Sequence, residues 1–505
     1  MQVVAAIALA ISIPACSTKD PLYCQSSADC EDPALPICDV HGDFAESNHI
    51  ANTCIARPDN CPVETCGCAP GTFLGCALDE AQTCGADGMS TVTQACAQGC
   101  SSEAGGCRCT TGDSVCAADA VSTCNASGVF DAPVACPLRC ADDTRCTDIS
   151  ASNGLNAALD AAADRQAVTL GDGAVFDTST GVVIDGNAAS VVIPSVLVPQ
   201  PNGAPPIRAF LAKSMILGNA RAKGANAFAI VADGVIELHG VLDAGAAGSD
   251  PGPGANTALA CAGTATMLTY DQSAGEWGDG AGGAGHSTAG GSGGPGAATG
   301  TGPAGGAAAG VPQAEPLVGG CEGGDVVFHT GAVGYNGGHG GGAVQLVSRV
   351  AIRLTRTGAS AGAIDVGGSG GSNTGAGGGA GGTVLVESPE VLSDGAGTGF
   401  FANGGGGGGC GLEGADGTAS VDAAAGRSCN CGASGGDGGT GLLAPEPGER
   451  RTPAVPPMVC PFLYKQGGGG GAAGRVRINT QTGTFAATNG GAISAASSVG
   501  TIGTR

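Results

Sequence analysis

Short apolar stretches rich in β-branched side chains recur through the later part of the chain, at 182–184, 191–193, 228–231, 235–238, 344–347, 352–354, 384–386 and 476–478. Their length and content predict strands. One unit comes back almost unchanged: Gly341-Gly342-Ala343-Val344-Gln345-Leu346-Val347-Ser348 returns 40 residues later as Gly381-Gly382-Thr383-Val384-Leu385-Val386-Glu387-Ser388, with a third echo from Gly474. Terse corners follow several stretches, at Asp243-Ala244-Gly245, Asp365-Val366-Gly367 and Asn403-Gly404. There Asp or Asn ahead of glycine makes a turn.

Many short strands joined by such corners predict stacked rungs that bury small inward side chains against their neighbours. The predicted fold is mainly β: small disulfide-rich modules, then a right-handed parallel β-helix over about 166–490 with glycine-rich loop insertions. In it, 40 residues make two rungs. A sandwich, a propeller or a largely disordered chain are the competing architectures. Alternation along a strand turns Val344 and Leu346 inward and Gln345 outward, so a charge is expected to be costly at 346 and nearly neutral at 345. An alanine-rich stretch at 155–163 predicts a short helix that caps the first rung.

Composition divides the chain near residue 150. Only 11 of the 96 glycines precede it, but 19 of the 25 cysteines do. The glycine runs lack the strict third-position period of collagen, and apolar segments interrupt them too often for a linker. They predict long loops at about 247–342 and 404–473 within a solenoid domain, 151–505.

Before the boundary, Cys66, Cys68, Cys76, Cys84, Cys96 and Cys100 recur as Cys107, Cys109, Cys116, Cys124, Cys136 and Cys140, offset by 41 and then 40 residues. The two units fill 66–150 and contain little that could form an apolar core, so cross-links must replace it. Cys24, Cys30, Cys38, Cys54 and Cys61 belong to an irregular module over 17–65, and Cys146 closes the series. Nine disulfides are expected between Cys24 and Cys146. Three more are expected among Cys261, Cys321, Cys410, Cys429, Cys431 and Cys460. Zinc is the alternative for the repeats, but they contain no histidine; His41 and His49 lie upstream in polar sequence and read as surface residues.

Residues 1–15 are apolar apart from Gln2 and Ser12, and Ile13-Pro14-Ala15 leads into Cys16. Such a lead suits a lipoprotein signal, 1–16, with Cys16 as the lipid-carrying residue; plain secretion is the alternative. The C-x7-C-x11-C-x3-C spacing with a central Asp-Gly or Ser-Gly turn, present twice, resembles the cysteine-rich repeats of cell-surface lipoproteins of myxobacteria. The later GG-x-V-x-(L/V/I) and ANGGGG segments resemble their glycine-rich carboxy-terminal domains. The resemblance implies an outer-membrane or cell-surface address, with the membrane as partner through the lipid. It implies no reaction.

The formal charge of -24 removes the electrostatic footprint of a nucleic-acid partner. No GxxxxGK(S/T) occurs, serine-hydrolase chemistry lacks its strand–GxSxG–helix elbow, and the loose Gly280–Gly285 match to a dinucleotide motif has neither strand nor helix beside it. Among carboxylates, Asp177, Asp185, Asp233, Asp243 and Asp365 are the candidates for carbohydrate chemistry, with Arg208, Lys213 and Arg221 as cations. Asp185 and Asp243 read better as turn formers. Glu237 and His239 share a strand face; His329 and His339 would have to meet His239 to make a site. Calcium could only sit between acidic turns such as Asp325 and Asp437, without a spaced ligand series. The chain is therefore expected to be an exported, surface-anchored structural or adhesive protein without catalytic activity, facing cell-surface polysaccharide or protein. A secreted carbohydrate-active enzyme and a protein-binding or inhibitory module protein are the alternatives.

Overall fold

The computed structural model describes residues 23–505 apart from 26–28, 31, 33–34, 36, 40–49, 57–70, 86–89, 97–98, 103–104, 137, 272–275, 297–299, 329–330, 374, 429–432, 442 and 451–465. Expectations for Cys16, Cys61, Cys66, Cys68, Cys429, Cys431, Cys460, His41, His49 and His329 lie outside the described residues. Two compact units meet at Cys146 and Thr147.

In the first unit, strands Phe73–Ala77, Glu80–Cys84 and Thr91–Ala95 form an antiparallel meander. Ser114–Ala117, Ala120–Thr123 and Val134–Ala135 repeat it. Disulfides do the work of a core: Cys24–Cys38 and Cys30–Cys54 upstream, then Cys76–Cys100, Cys96–Cys107, Cys109–Cys124, Cys116–Cys140 and Cys136–Cys146. The pattern within one repeat is Cys76 to Cys100, matched by Cys116 to Cys140. The Cys96–Cys107 bond reaches into the next repeat, so the modules are covalently joined to one another.

The second unit is a stack of parallel strands in three sheets, a β-helix-like arrangement. Its opening strands are β1 (Val168–Leu170) and β2 (Ala174–Asp177). The next turn supplies β3 (Ile207–Ala212), β4 (Met215–Leu217) and β5 (Ala220–Lys223). The third supplies β6 (Ala227–Ala232), β7 (Ile236–Leu238) and β8 (Val241–Asp243). Then come β9 (Ala343–Ser348), β10 (Ala351–Thr357) and β11 (Ala363–Asp365), followed by β12 (Thr383–Glu387), β13 (Glu390–Asp394) and β14 (Gly399–Phe401). The last are β15 (Arg475–Thr480), β16 (Ala492–Ile493) and β17 (Ala496–Thr501).

Sheet A runs β3-β6-β9-β12-β15-β17, sheet B β1-β4-β7-β10-β13 and sheet C β2-β5-β8-β11-β14-β16, parallel throughout. The register stacks like on like: Ile230, Leu346, Val386 and Ile478 form one inward column, and Phe228, Val344, Val384 and Val476 another. All eight are buried in one apolar core. Near the first turns Phe176, Phe210 and Phe228 pack together in the core, with Phe176 edge-on to both others.

Because Val344 pairs directly with Val384, the 40-residue repeat is one turn of the coil and not two. A bare turn is 20 residues, as Ile207 opposite Ala227 shows. The repeat is lengthened by an excursion, 366–382, which the sequence pattern did not separate from the turn. It is the smallest of three, the others being 244–342 and 402–474. All three leave after a sheet C strand and return at a sheet A strand.

Among the described residues, the glycine runs of the excursions form ordered, extended helices. Along 467–472, Gly467 and Gly470 donate their N–H groups to the carbonyls of Glu449 and Glu446. Gly468 and Gly471 donate to Gly408 and Gly405, and Gly469 and Ala472 to Ala281 and Ala284. The segment 377–382 repeats the scheme toward Gly324 and Cys321, Gly469 and Ala472, and Ser369 and Val366. A hydrogen-bond period of three is that of an extended helix with three residues per turn, the polyproline II form, whose backbone groups all point outward. In collagen only one face in three is crowded. Here each face meets another backbone, so glycine fills nearly every place: a Cβ on Gly471 would stand 2.0 Å from the Gly379 carbonyl oxygen, and one on Gly379 2.1 Å from that of His339. The Cys261–Cys321 disulfide lies inside this body against Ala284 and Ala380.

The alanine-rich stretch forms helix α1 (Asn156–Ala162), which packs on β3 and β6. Just ahead of it, Ser152 and Asn153 reach Glu387 and Gln345 farther along sheet A. The segment thus covers the outer face of sheet A and does not cap the first rung; beyond β3 that sheet continues into the antiparallel strand Ser195–Val198. Covering changes the environment of Gln345. It points away from the core as alternation requires, yet it is buried, donating to Glu387 Oε2 at 2.7 Å and accepting from Asn153 at 3.0 Å. Burial holds the Glu387 carboxyl above its usual range.

Two outcomes are expected. Leu346→Asp should lower the unfolding free energy of the full chain by about 3–5 kcal/mol and Gln345→Asp by about 2–3 kcal/mol, since the latter sets a second carboxylate beside Glu387. Denaturant unfolding of the two variants checks this, and a wild-type midpoint for Gln345→Asp would contradict the buried network. Non-reducing peptide mapping should recover the inter-repeat bond Cys96–Cys107 and the bond Cys136–Cys146 that closes the second repeat.

Candidate functional site

The outer face of sheet C carries a row of polar residues that the coil brings together. Val175, Arg221, Asp243, Asp365 and Phe401 occupy one row on successive strands. Adjacent strands are about 4.8 Å apart, so Asp243 and Asp365 are neighbours although an excursion separates them in sequence. Each is also a turn former: Asp243 accepts the N–H of Gly245 at 2.9 Å and Asp365 that of Gly367 at 2.9 Å. Arg221 forms an ion pair with Asp243.

Asp365 is 8% exposed. Burial pushes its carboxyl up to about 7, against the opposing hydrogen bonds from Gly367 and Ala419 N–H and with the charge of Asp243 adding to the rise. It lies under a strap from the third excursion, tied at Gly370 N–H to the Asp416 carboxylate.

Two hollows flank this row and share Arg221. One, of about 460 Å³, is lined by Asn219, Arg221, Asp243 and Asp365. The other, of about 670 Å³, lies between β5 and the first excursion, with Lys223, Asp250, Asn256, Glu322 and His339 on its walls. His339 Nδ1 stands 3.3 Å from Glu322 Oε1. Burial raises the Glu322 carboxyl, and the neighbouring His339 works against that. Sequence reasoning missed Lys223 and Glu322. The spacing Arg221-x-Lys223 does place two cations on one strand face, and nothing in the sequence showed that a glycine helix would deliver Glu322 and His339 opposite them.

The remaining candidates serve the scaffold. Asp177 accepts from Ser179 and Thr180, and Asp185 from Asn187 and Ala189. Arg208 donates to the Thr178 and Ser179 carbonyls. Asp233 pairs with Lys213 and Arg349. Glu237 holds His239 at 3.4 Å and Arg353 at 3.7 Å on sheet B, so His239 and His339 have separate carboxylate partners. Asp325 and Asp437 each accept a glycine N–H, from Gly337 and Gly426, and tie glycine helices together. Among the described residues, the only groups of three side chains with ligand atoms close enough for one metal ion are disulfide cysteines. No helix among them is long and apolar enough to cross a membrane.

Two carboxylates on adjacent strands invite comparison with a double-displacement glycosidase, whose pair stands roughly 5–5.5 Å apart. In this row, however, turn hydrogen bonds engage both carboxylates, an arginine neutralises one, and the other is covered. No family model, no curated protein and no solved structure matches the chain.

Asp365 gives a pH signature. Its folded carboxyl keeps its proton to about pH 7, whereas the unfolded one loses it near 3.8. Between those values the folded state binds more protons, so this group's contribution to stability falls as pH rises through the window. Asp365→Asn should flatten that slope and raise stability at pH 8 by about 2–4 kcal/mol, read from denaturant unfolding at pH 4, 6 and 8. An unchanged slope would show the carboxyl to be ionised already.

Proposed function

We propose that this is an exported protein held at a cell surface through lipid on Cys16, with a structural or adhesive role, and that residues 147–505 are a right-handed parallel β-helix displaying a glycine-helix platform. The observation that carries this reading is the meeting of all three excursions, from one corner of the coil, in a single hydrogen-bonded body: Gly469 of the third bonds Ala281 of the first, and Gly378 of the second bonds Gly469. A body built almost without side chains offers shape and rigidity more readily than chemistry. The dense disulfides favour an oxidising compartment.

One observation favours the second reading, a carbohydrate-active enzyme: the side-by-side placement of Asp243 and Asp365. It requires the strap over Asp365 to open.

Membrane-extracted protein should yield a lipid-modified peptide beginning at Cys16, and protease added to intact cells should remove the chain. An unmodified Cys16 peptide in soluble protein would refute the anchoring. Incubation of the purified chain with surface polysaccharides should release no new reducing ends. Turnover that Asp243→Asn abolishes would replace this reading with the enzymatic one.

A further inference from the structure

The larger hollow has a lining with a definite chemical bias. Arg221 and Lys223 lie two apart on β5 and so share its outer face. Arg221 is occupied by Asp243. Lys223, exposed on that wall, has no ion-pair partner among the described residues. Opposite stand Asp250, Asn256 and the Glu322–His339 pair. The volume, about 670 Å³, lies in the range that holds small ligands.

We propose that this hollow binds a sugar bearing a carboxylate, one unit of an acidic polysaccharide. In a chain of net charge -24, an anionic group needs a local cation, and Lys223 supplies one. The opposite wall explains why the ligand is a sugar. An acidic peptide or a doubly charged phosphate would meet Asp250 and Glu322 as like charges, whereas hydroxyl groups donate to those carboxylates and to the Asn256 amide oxygen. His339 is held at Nδ1 by Glu322, which leaves Nε2 for a further hydroxyl. One carboxylate per ring with hydroxyls around it fits both walls at once.

The inference rests on the adhesive reading and names its ligand class. The test is affinity electrophoresis of the full mature chain in gels containing polygalacturonate, alginate or hyaluronan, beside neutral dextran and fully methyl-esterified pectin. At least one uronate polymer should retard the chain, with retardation fading as salt rises; the methyl ester should not. Lys223→Met should weaken binding by about tenfold or more, since one charge-assisted contact is lost. Lys223→Arg should retain it. Arg353→Met, on the outer face of sheet B, should bind as wild type, and equal melting midpoints would show all variants folded.

Retardation by none of the three uronates, equal retardation by the methyl ester, or an unaffected Lys223→Met would overturn the proposal. Binding to neutral dextran alone would also sink it while leaving an adhesive role standing. Loss of surface location with uronate binding intact would do the reverse.

Discussion

The carboxy-terminal unit depends on one constraint: a backbone with almost no side chains around it must still pair its N–H and C=O groups. In the β-helix-like coil this is met by parallel ladders. In the excursions it is met by extended helices that hydrogen-bond on three faces, which requires the absence of Cβ atoms on all three. Most glycines there are fixed by close approach, as at Gly471 and Gly379, while left-handed backbone calls for glycine at a few corners such as Gly248, Gly300 and Gly331. The two solutions are compatible because the inner column of the coil, from Ile230 to Ile478, sets the spacing at which each excursion departs and returns.

The first strand of this unit is joined to its last. The strand Ile149–Ser150 pairs antiparallel with Gly503–Thr504. Around it Arg349 meets Asp148, Asp160 and Asp233, and Arg505 meets Asp148 and Asp160. The hydrogen bonds from the two arginines help to hold Asp148 and Asp160 below the usual carboxylate range, so this cluster stabilises at neutral pH and weakens as acid protonates it. The start of the unit is thereby tied to its last strand and to the middle turns of the coil.

Much of this was legible in the sequence, and the failures have physical causes. The strands at 344–347 and 384–386 were readable because their inward residues are apolar and alternate. Their spacing was misread because a 40-residue period does not reveal whether the extra residues form a rung or leave the coil. Glycine runs without a collagen period looked like loops, whereas lack of a period is what contact on every helical face produces. Gln345 was assigned the correct side but the wrong exposure, since covering by Ser152 and Asn153 comes from nearly two hundred residues away. Asp243 was correctly read as a turn former, and Asp365 was named at its own corner, but that the two are neighbours was visible only in the register of the coil.

The disulfides of the amino-terminal unit overlap in sequence: Cys76–Cys100 with Cys96–Cys107, Cys109–Cys124 with Cys116–Cys140, and that bond with Cys136–Cys146. If the chain were pulled at Cys76 and Cys146, tension would follow the shortest covalent route, through Cys100, Cys96, Cys107, Cys109, Cys116, Cys140 and Cys136. Most of the backbone lies off that route as slack. Loss of every strand in these repeats would therefore lengthen them little, and only reduction would let them pay out.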